Sequence, residues 1–240
     1  MAPPPGAADP GRSLDHGGTA ATYQATVALG VTKPPARSSS PSGRASLGRS
    51  PFWIWGGRAD YWRRVGFDFL DANDLHVICI NYTEEELYAS EDQHPRLTAR
   101  VGDATNMVGE ADNGYHLVHS NSVVEHVGRF AAMRAFANEA RLLAPAYYVQ
   151  TPYFWFPIDP HWPKLPMFHW LPLSWRQKLL RRWGLGWGGP CKDIDHAMRD
   201  LEGTILVDWS QMEILFPDGR IRAERIFGLP KLMIAERRSA

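Results

Sequence analysis

Short apolar runs recur from residue 52 onward, each closed by glycine or polar residues, with amphipathic stretches between them. Phe52–Trp55, Leu75–Asn81, Leu97–Val101, Tyr115–His119 and Ala146–Val149 are rich in β-branched and aromatic residues and too short for buried helices, so they are predicted as strands. Leu75–Asn81 (LHVICIN) has the unbroken apolar core of a strand covered on both faces. Between these runs, Ala59–Val65 is predicted as a short helix. Thr83 stands as an N-cap before Glu84, Glu85 and Glu86, where acids complement the helix dipole. Phe130–Leu143 places Phe130, Met133, Ala137 and Ala140 on one helical face, and Pro145 ends it. Strands alternating with helices predict an α/β fold with a doubly wound parallel sheet.

The pattern breaks at Tyr153–Pro172, which is dense in aromatics and prolines and fits neither a helix nor a central strand. Beyond it lie three predicted helices. The first is Leu173–Trp183, capped near Ser174 and carrying basic residues; the second is Asp193–Leu201. The third runs to Phe216, opened by a capping box at Ser210–Glu213. A strand pair, Ile221–Phe227 and Leu232–Glu236, closes around Gly228-Leu229-Pro230.

Composition separates residues 1–50 from the rest. Tracts such as MAPPPGAADPG and ARSSSPSGRASLGRS bury too little apolar surface to offset ordering entropy, so this segment is expected to be disordered, with one domain over 51–240. The 26 basic and 26 acidic residues balance, so no global field points to nucleic acid or an anionic membrane. Cys79 and Cys191 are the only cysteines, and no signal peptide is seen. Both facts suggest a reducing, cytoplasmic setting. No apolar run approaches the roughly 20 residues that span a bilayer.

Open α/β sheets bind ligands at the carboxyl ends of their strands. Here those ends are Gly56-Gly57, Asn81, Gly102-Asp103, Ser120-Asn121-Ser122 and Thr151-Pro152. The glycine pair allows a close backbone approach. Asn81 stands where an acid usually holds ribose hydroxyls, and its amide offers an acceptor and two donors for that task. Asp103 can accept from an adenine amino group. Each residue alone reads more readily as a polar turn; their joint register makes the pattern informative.

GGRADYW, INYTEEE, VGDATNM, HSNSVVEHV, NEARLLAP and QTPYFWFPIDPH, in that order, resemble the class I S-adenosylmethionine-dependent methyltransferases, in particular the broad type 11 group. The resemblance runs from about Phe52 to the C-terminus. It implies a Rossmann-like seven-stranded sheet with an antiparallel last strand, with S-adenosylmethionine lying across the first strand ends. Gly56 and Gly57 would then approach the methionine part, with Asn121 beneath it. Asn81 would hold the ribose and Asp103 the adenine amino group, with Ala104 beside the ring. The acid that the family carries two residues before the glycine pair is Ile54 here, and the usual third glycine is absent.

In the ubiquinone-biosynthesis and small-RNA 2′-O-methyltransferases, a similar E-x-x-E-H run binds a divalent metal. Ser122 replaces the first glutamate here and leaves Glu125 and His126, so no metal is expected. His126 and His161 are the candidate general bases for a hydroxyl or amine acceptor, and His119 is expected to be a core histidine. The aromatic-rich insert, about 153–200, is the candidate lid, in which Tyr153, Trp155, His161 and His169 would contact a small-molecule or glycan acceptor. The basic helix Leu173–Trp183 reads as a solvated face or as one meeting an anionic substrate or membrane. Two other readings stay open. One is a non-catalytic binding protein with a degenerate methyltransferase fold. The other is a nicotinamide-dependent dehydrogenase, although GGRADY lacks the later glycine of G-x-G-x-x-G.

Overall fold

The computed structural model describes residues 52–55, 59–83, 94–186 and 188–238, with 52–55 and 59–60 described by backbone alone. The expectations for residues 1–50, Gly56-Gly57 and the helix after Thr83 lie outside the described residues.

The sheet comprises β1 (Phe52–Trp55), β2 (Val77–Asn81), β3 (Leu97–Val101), β4 (Leu117–Asn121), β5 (Ala146–Pro152), β6 (Arg220–Ile226) and β7 (Leu229–Arg237). Its order is β3-β2-β1-β4-β5-β7-β6. The first five strands are mutually parallel, while β7 runs antiparallel to both β5 and β6. The order reverses between β1 and β4, the place where such sheets open a crevice.

Each face of the sheet carries its own core. On one side, α1 (Ala59–Val65) and α2 (Phe67–Ala72) bury Trp62, Val65 and Leu70 against Val77, Cys79 and Leu117. On the other, α3 (Phe130–Leu143) sets Met133, Phe136, Ala137, Ala140 and Leu143 against Val118, Tyr147 and Val149. A fully buried side chain such as Phe136 or Met133 is worth about 1.5–3 kcal/mol, so this stripe outweighs helix propensity in fixing α3. A third, smaller core lies in the stretch after β5. There Trp162 and Phe168 pack with Leu180 of α4 (Leu173–Arg182) and with Ala197 and Leu201 of α5 (Ile194–Glu202). The last helix, α6 (Trp209–Leu215), returns to the α3 side and adds Met212 and Leu215 to that core.

Several boundaries differ from expectation, each for a local reason. β5 runs past Val149 through Thr151 to Pro152, because β7 supplies partners Ile234, Met233 and Leu232. β4 is shifted toward Asn121, because the Tyr115 N–H is taken by the Leu143 carbonyl at the end of α3. Gly66, at φ 100°, separates α1 from α2 and lets the second helix form. The cap of α4 is Pro172, not Ser174, and its carbonyl accepts from Trp175 and Arg176. The capping box of α6 is Asp208 with Gln211, which starts the helix ahead of Ser210.

Candidate functional site

Asn81 and Asn121 end β2 and β4 on either side of β1. Trp55 pairs with Ile80 and with Ser120, so each asparagine stands one residue beyond a partner of Trp55. Asn81 is buried and Asn121 half-buried, and the Asn81 carbonyl takes the Gly102 N–H at 2.9 Å. Asp103 follows β3 and is exposed, and its Oδ1 accepts from the Thr105 N–H (2.8 Å) and hydroxyl (2.7 Å). Those two bonds fix the direction of the carboxylate. Ala104 is half-buried against the α3-side core. Next to Asn121, Ser122 adopts φ 57°, a left-handed conformation costly for serine, and its hydroxyl donates to Asn121 Oδ1 at 3.2 Å. Its N–H is held by the Gln150 carbonyl, so the turn after β4 is tied to β5.

This turn delivers a second constellation. The 3₁₀ turn Val124–His126 carries Glu125, fully buried, and His126. Glu125 Oε2 accepts from the Thr151 hydroxyl at 2.9 Å, while Oε1 is buried with no hydrogen-bond partner among the described residues. From the segment after β5, His161 points its Nε2 at His126 Nε2, 3.1 Å away. Its Nδ1 lies 2.7 Å from Asp159 Oδ1, which also takes the His161 N–H. Asp159 is almost fully buried, at 2% exposure. His126 Nδ1 lies 3.0 Å from the Gly203 carbonyl, in the connection between α5 and α6, and the Ile205 N–H donates to the Glu125 carbonyl.

These contacts fix the protons. A carboxylate and a carbonyl both accept, so each Nδ1 must carry the hydrogen. Each Nε2 is then a lone pair, and the two face one another at hydrogen-bond distance. That arrangement calls for a cation between or upon them. A proton satisfies it by making one ring an imidazolium. A divalent metal satisfies it too: with bonds of about 2.1 Å, neighbouring ligands sit roughly 3.0–3.4 Å apart. Glu125, His126 and His161 offer one ligand atom each within 4.8 Å of one another. The expectation of no metal rests on Ser122 alone and leaves out the third donor, His161.

The charges agree with this picture. Burial works against a charged His161, but the Asp159 hydrogen bond and the Asp159 and Glu125 charges outweigh it, so its pKa is raised. Burial raises the Glu125 carboxyl to about 7, with the His161 charge and the Thr151 hydrogen bond opposing.

Of the residues expected to contact an acceptor, His161 joins this cluster and the others do not. Tyr153 packs on the α3-side core. His169 is buried, with its Nε2 donating to the Phe154 carbonyl at 2.7 Å, so it organises the segment. Trp155, expected to line a pocket, is 56% exposed and packs against Trp170, with ring centroids 6.0 Å apart. Trp162 and Phe168 belong to the third core. Asp159 is a site residue that sequence reasoning misses, although its place two residues before His161, between prolines, is a usable signal. His119 is a core histidine as expected, with its Nε2 2.7 Å from the Tyr61 hydroxyl.

A second group, Cys191, His196 and Asp200, also has ligand atoms within 4.8 Å. There the Lys192 N–H donates to His196 Nδ1, which leaves the hydrogen on Nε2, directed at Asp200 3.6 Å away. Its members already pair with one another. Cys79, by contrast, is isolated in the core, and burial pushes its thiol up to about 12.

No family model matches the sequence, and no curated protein matches it. Solved structures resemble the fold. A Rhodobacter sphaeroides protein assigned as a Zn-dependent alcohol dehydrogenase superposes with a TM-score of 0.52 at 10% identity, over 80% of this chain and 85% of the other. The magnesium protoporphyrin IX methyltransferase of Synechocystis PCC 6803 with bound S-adenosylhomocysteine gives 0.44 at 13% identity, over 79% and 74%. Human N-acetylserotonin methyltransferase in complex with S-adenosylmethionine gives 0.46 at 9% identity, over 80% of this chain and 48% of that one. What the chain shares with the first of these is the α/β fold. No helix among the described residues is long and apolar enough to cross a membrane.

Proposed function

We propose that the chain is an S-adenosylmethionine-dependent methyltransferase that alkylates a hydroxyl or amine on a small-molecule or glycan acceptor. The observation that carries this reading is positional. Asn81, Asp103 and Asn121 stand at the carboxyl ends of β2, β3 and β4, on the edge where the strand order reverses, and a proton-handling cluster follows the last of them. These residues fit the cofactor. The Asn81 amide offers donors and an acceptor to ribose hydroxyls, and Asp103, held by Thr105, presents a carboxylate to an amino group. Gly56, Gly57, Ala104 and Asn121 complete the proposed cofactor site.

Bound, the methyl sulfonium supplies an already activated methyl group, so the chain's own task is chiefly alignment. Alignment can contribute roughly 7–11 kcal/mol to lowering the barrier. In the form that has released the proton shared between their Nε2 atoms, the His126–His161 pair receives the acceptor's proton, and Asp159 stabilises the imidazolium that re-forms. Tyr153 and His169 sit in the segment that would close over the acceptor.

Calorimetry of the full-length chain with S-adenosylmethionine is the direct test. Saturable binding, lost in Asp103→Ala, supports the reading. No heat at millimolar cofactor would sink it, and binding without turnover on an acceptor panel would leave the non-catalytic alternative.

The facing Nε2 pair and the orphaned Glu125 Oε1 favour a second reading, in which Glu125, His126 and His161 hold a divalent cation. Zinc or manganese titration decides it: one equivalent bound by the native chain and none by His161→Ala supports a metal. No uptake leaves the proton as the cation.

A further inference from the structure

The segment after β5 has two faces with different chemistry. Its inner face supplies Asp159 and His161 to the cluster and Trp162 and Phe168 to a core. Outside these contacts the segment carries exposed large apolar side chains: Trp155, Met167, Trp170, Leu173, Trp175 and Trp183. Trp155 and Trp170 pack together, and the Trp170 indole N–H donates to the Phe154 carbonyl at 2.9 Å. The Met167 N–H is held by the Pro157 carbonyl at 2.6 Å. Trp170 lies two residues before the α4 cap, Pro172, and Trp175 is in the first turn of that helix. Trp175, the most exposed of the six at 62%, is thus joined to the aromatic pair through a short, proline-bounded link.

The charge on this face has one sign. Residues 153–190 contain five Lys or Arg residues and a single acid, Asp159, which is buried against His161, in a chain whose net charge is zero. Lys164, Lys178, Arg181 and Arg182 carry the positive charge outside the buried cluster. Among the described residues, none of these four takes part in an ion pair. Trp175, Lys178 and Arg182 are spaced i, i+3 and i+7, so they line one side of α4, while Leu180 is buried on the opposite side. A helix with tryptophan and basic residues on its outward face, beside further exposed tryptophans, has the chemistry of the bilayer interface. There the indoles settle at headgroup depth and the cations meet anionic phosphates.

We propose that the outer face of residues 155–183 docks on an anionic lipid surface, with Trp155, Trp170 and Trp175 entering the headgroup layer and Lys178, Arg181 and Arg182 pairing with lipid phosphates. This inference does not depend on the methyltransferase reading, because it uses no cofactor-site residue.

Co-sedimentation of the full-length chain with vesicles tests it. One vesicle is phosphatidylcholine alone, and the other has a third of its lipid replaced by phosphatidylglycerol. The expected result is pelleting with the anionic vesicles, weakening as salt rises, with a blue shift of tryptophan emission. Each basic residue near an anionic surface is worth about a fivefold change in partitioning, so Lys178→Glu with Arg182→Glu lowers it roughly 25-fold or more. Trp175→Ser weakens binding and leaves the salt dependence in place. Circular dichroism confirms that these surface variants fold, and the salt and lipid dependence of the native chain stands as a test without them. Absence of pelleting, equal pelleting with both vesicles, or unchanged binding by the charge-reversed variant overturns the proposal. So does concentration-dependent self-association that Trp175→Ser abolishes in the absence of lipid, which would assign the face to a second copy of the chain.

Discussion

His119 and His161 are both shut away from water, and their chemistry is opposite. His119, in β4, stacks on Tyr148 with ring centroids 5.2 Å apart, meets the Tyr61 hydroxyl, and has no partner for its Nδ1 among the described residues. Burial alone lowers its pKa to about 3. His161 meets similar burial with Asp159 at 2.7 Å and Glu125 behind it, and its pKa rises. Burial therefore does not decide what a histidine does in this sheet; the presence of a countercharge does. The side lined by α1 and α2 keeps its histidine neutral, and the end of β4 and β5 gives its histidine a carboxylate that favours the charged form.

The largest expected effect comes from removing that countercharge. Asp159→Ala should destabilise the fold by about 3–5 kcal/mol in urea titration, the usual cost of stranding one member of a buried ion pair. A loss under about 1 kcal/mol would show that the pair is not charged. Next comes acid sensitivity. His119 is neutral when folded and titrates at about 6.5 when unfolded, so the unfolded chain binds the extra proton. Its contribution is complete above pH 6.5 and falls as pH drops toward 3, by up to about 1.4 kcal/mol per unit. Stability profiles of the native chain and His119→Phe should diverge between about pH 6.5 and 4.5, with the variant flatter; parallel curves would refute the assignment. His161 has the reverse sign: its contribution is present below its unfolded value and lost as pH rises through its raised folded value, a loss that Asp159→Ala should erase. Third, Thr151→Val leaves Glu125 Oε2 without its donor and should cost about 1–3 kcal/mol, read in the same urea titration. Smallest is the control for burial alone. Cys79 should react with maleimide only on unfolding, since its thiol is buried and raised to about 12.

Most of the sheet is legible in the chain because apolar runs and a 3.6-residue stripe are local signals. β2, β3, α1 and α3 follow from them, as do the polar strand ends Asn81, Asp103 and Asn121. The remainder is hidden by distance. Glu125 and His161 meet across a helix and a strand, His161 itself lies in a proline-rich stretch with no periodicity, and Gly203 and Ile205 clamp the 3₁₀ turn from farther still. Nothing near Ser122 announces that His161 arrives to face His126. Trp155 misleads for the same reason: aromatic density marks a surface as readily as a pocket, and its sequence neighbour Phe154, half-buried, does not reveal which way it turns.

Arg237, near the end of β7, donates to the carbonyls of Arg141, Ala144 and Pro145 at the close of α3. Those groups are more than ninety positions apart in the chain. Asn113 and Tyr115 close the Leu142 and Leu143 carbonyls from earlier in the chain, but during synthesis those of Arg141, Ala144 and Pro145 wait for this partner until the last strand has left the ribosome and threaded between β5 and β6. One late guanidinium thus completes the closure of this helix, and a nascent chain stalled before residue 237 should show α3 amides exchanging from that end first.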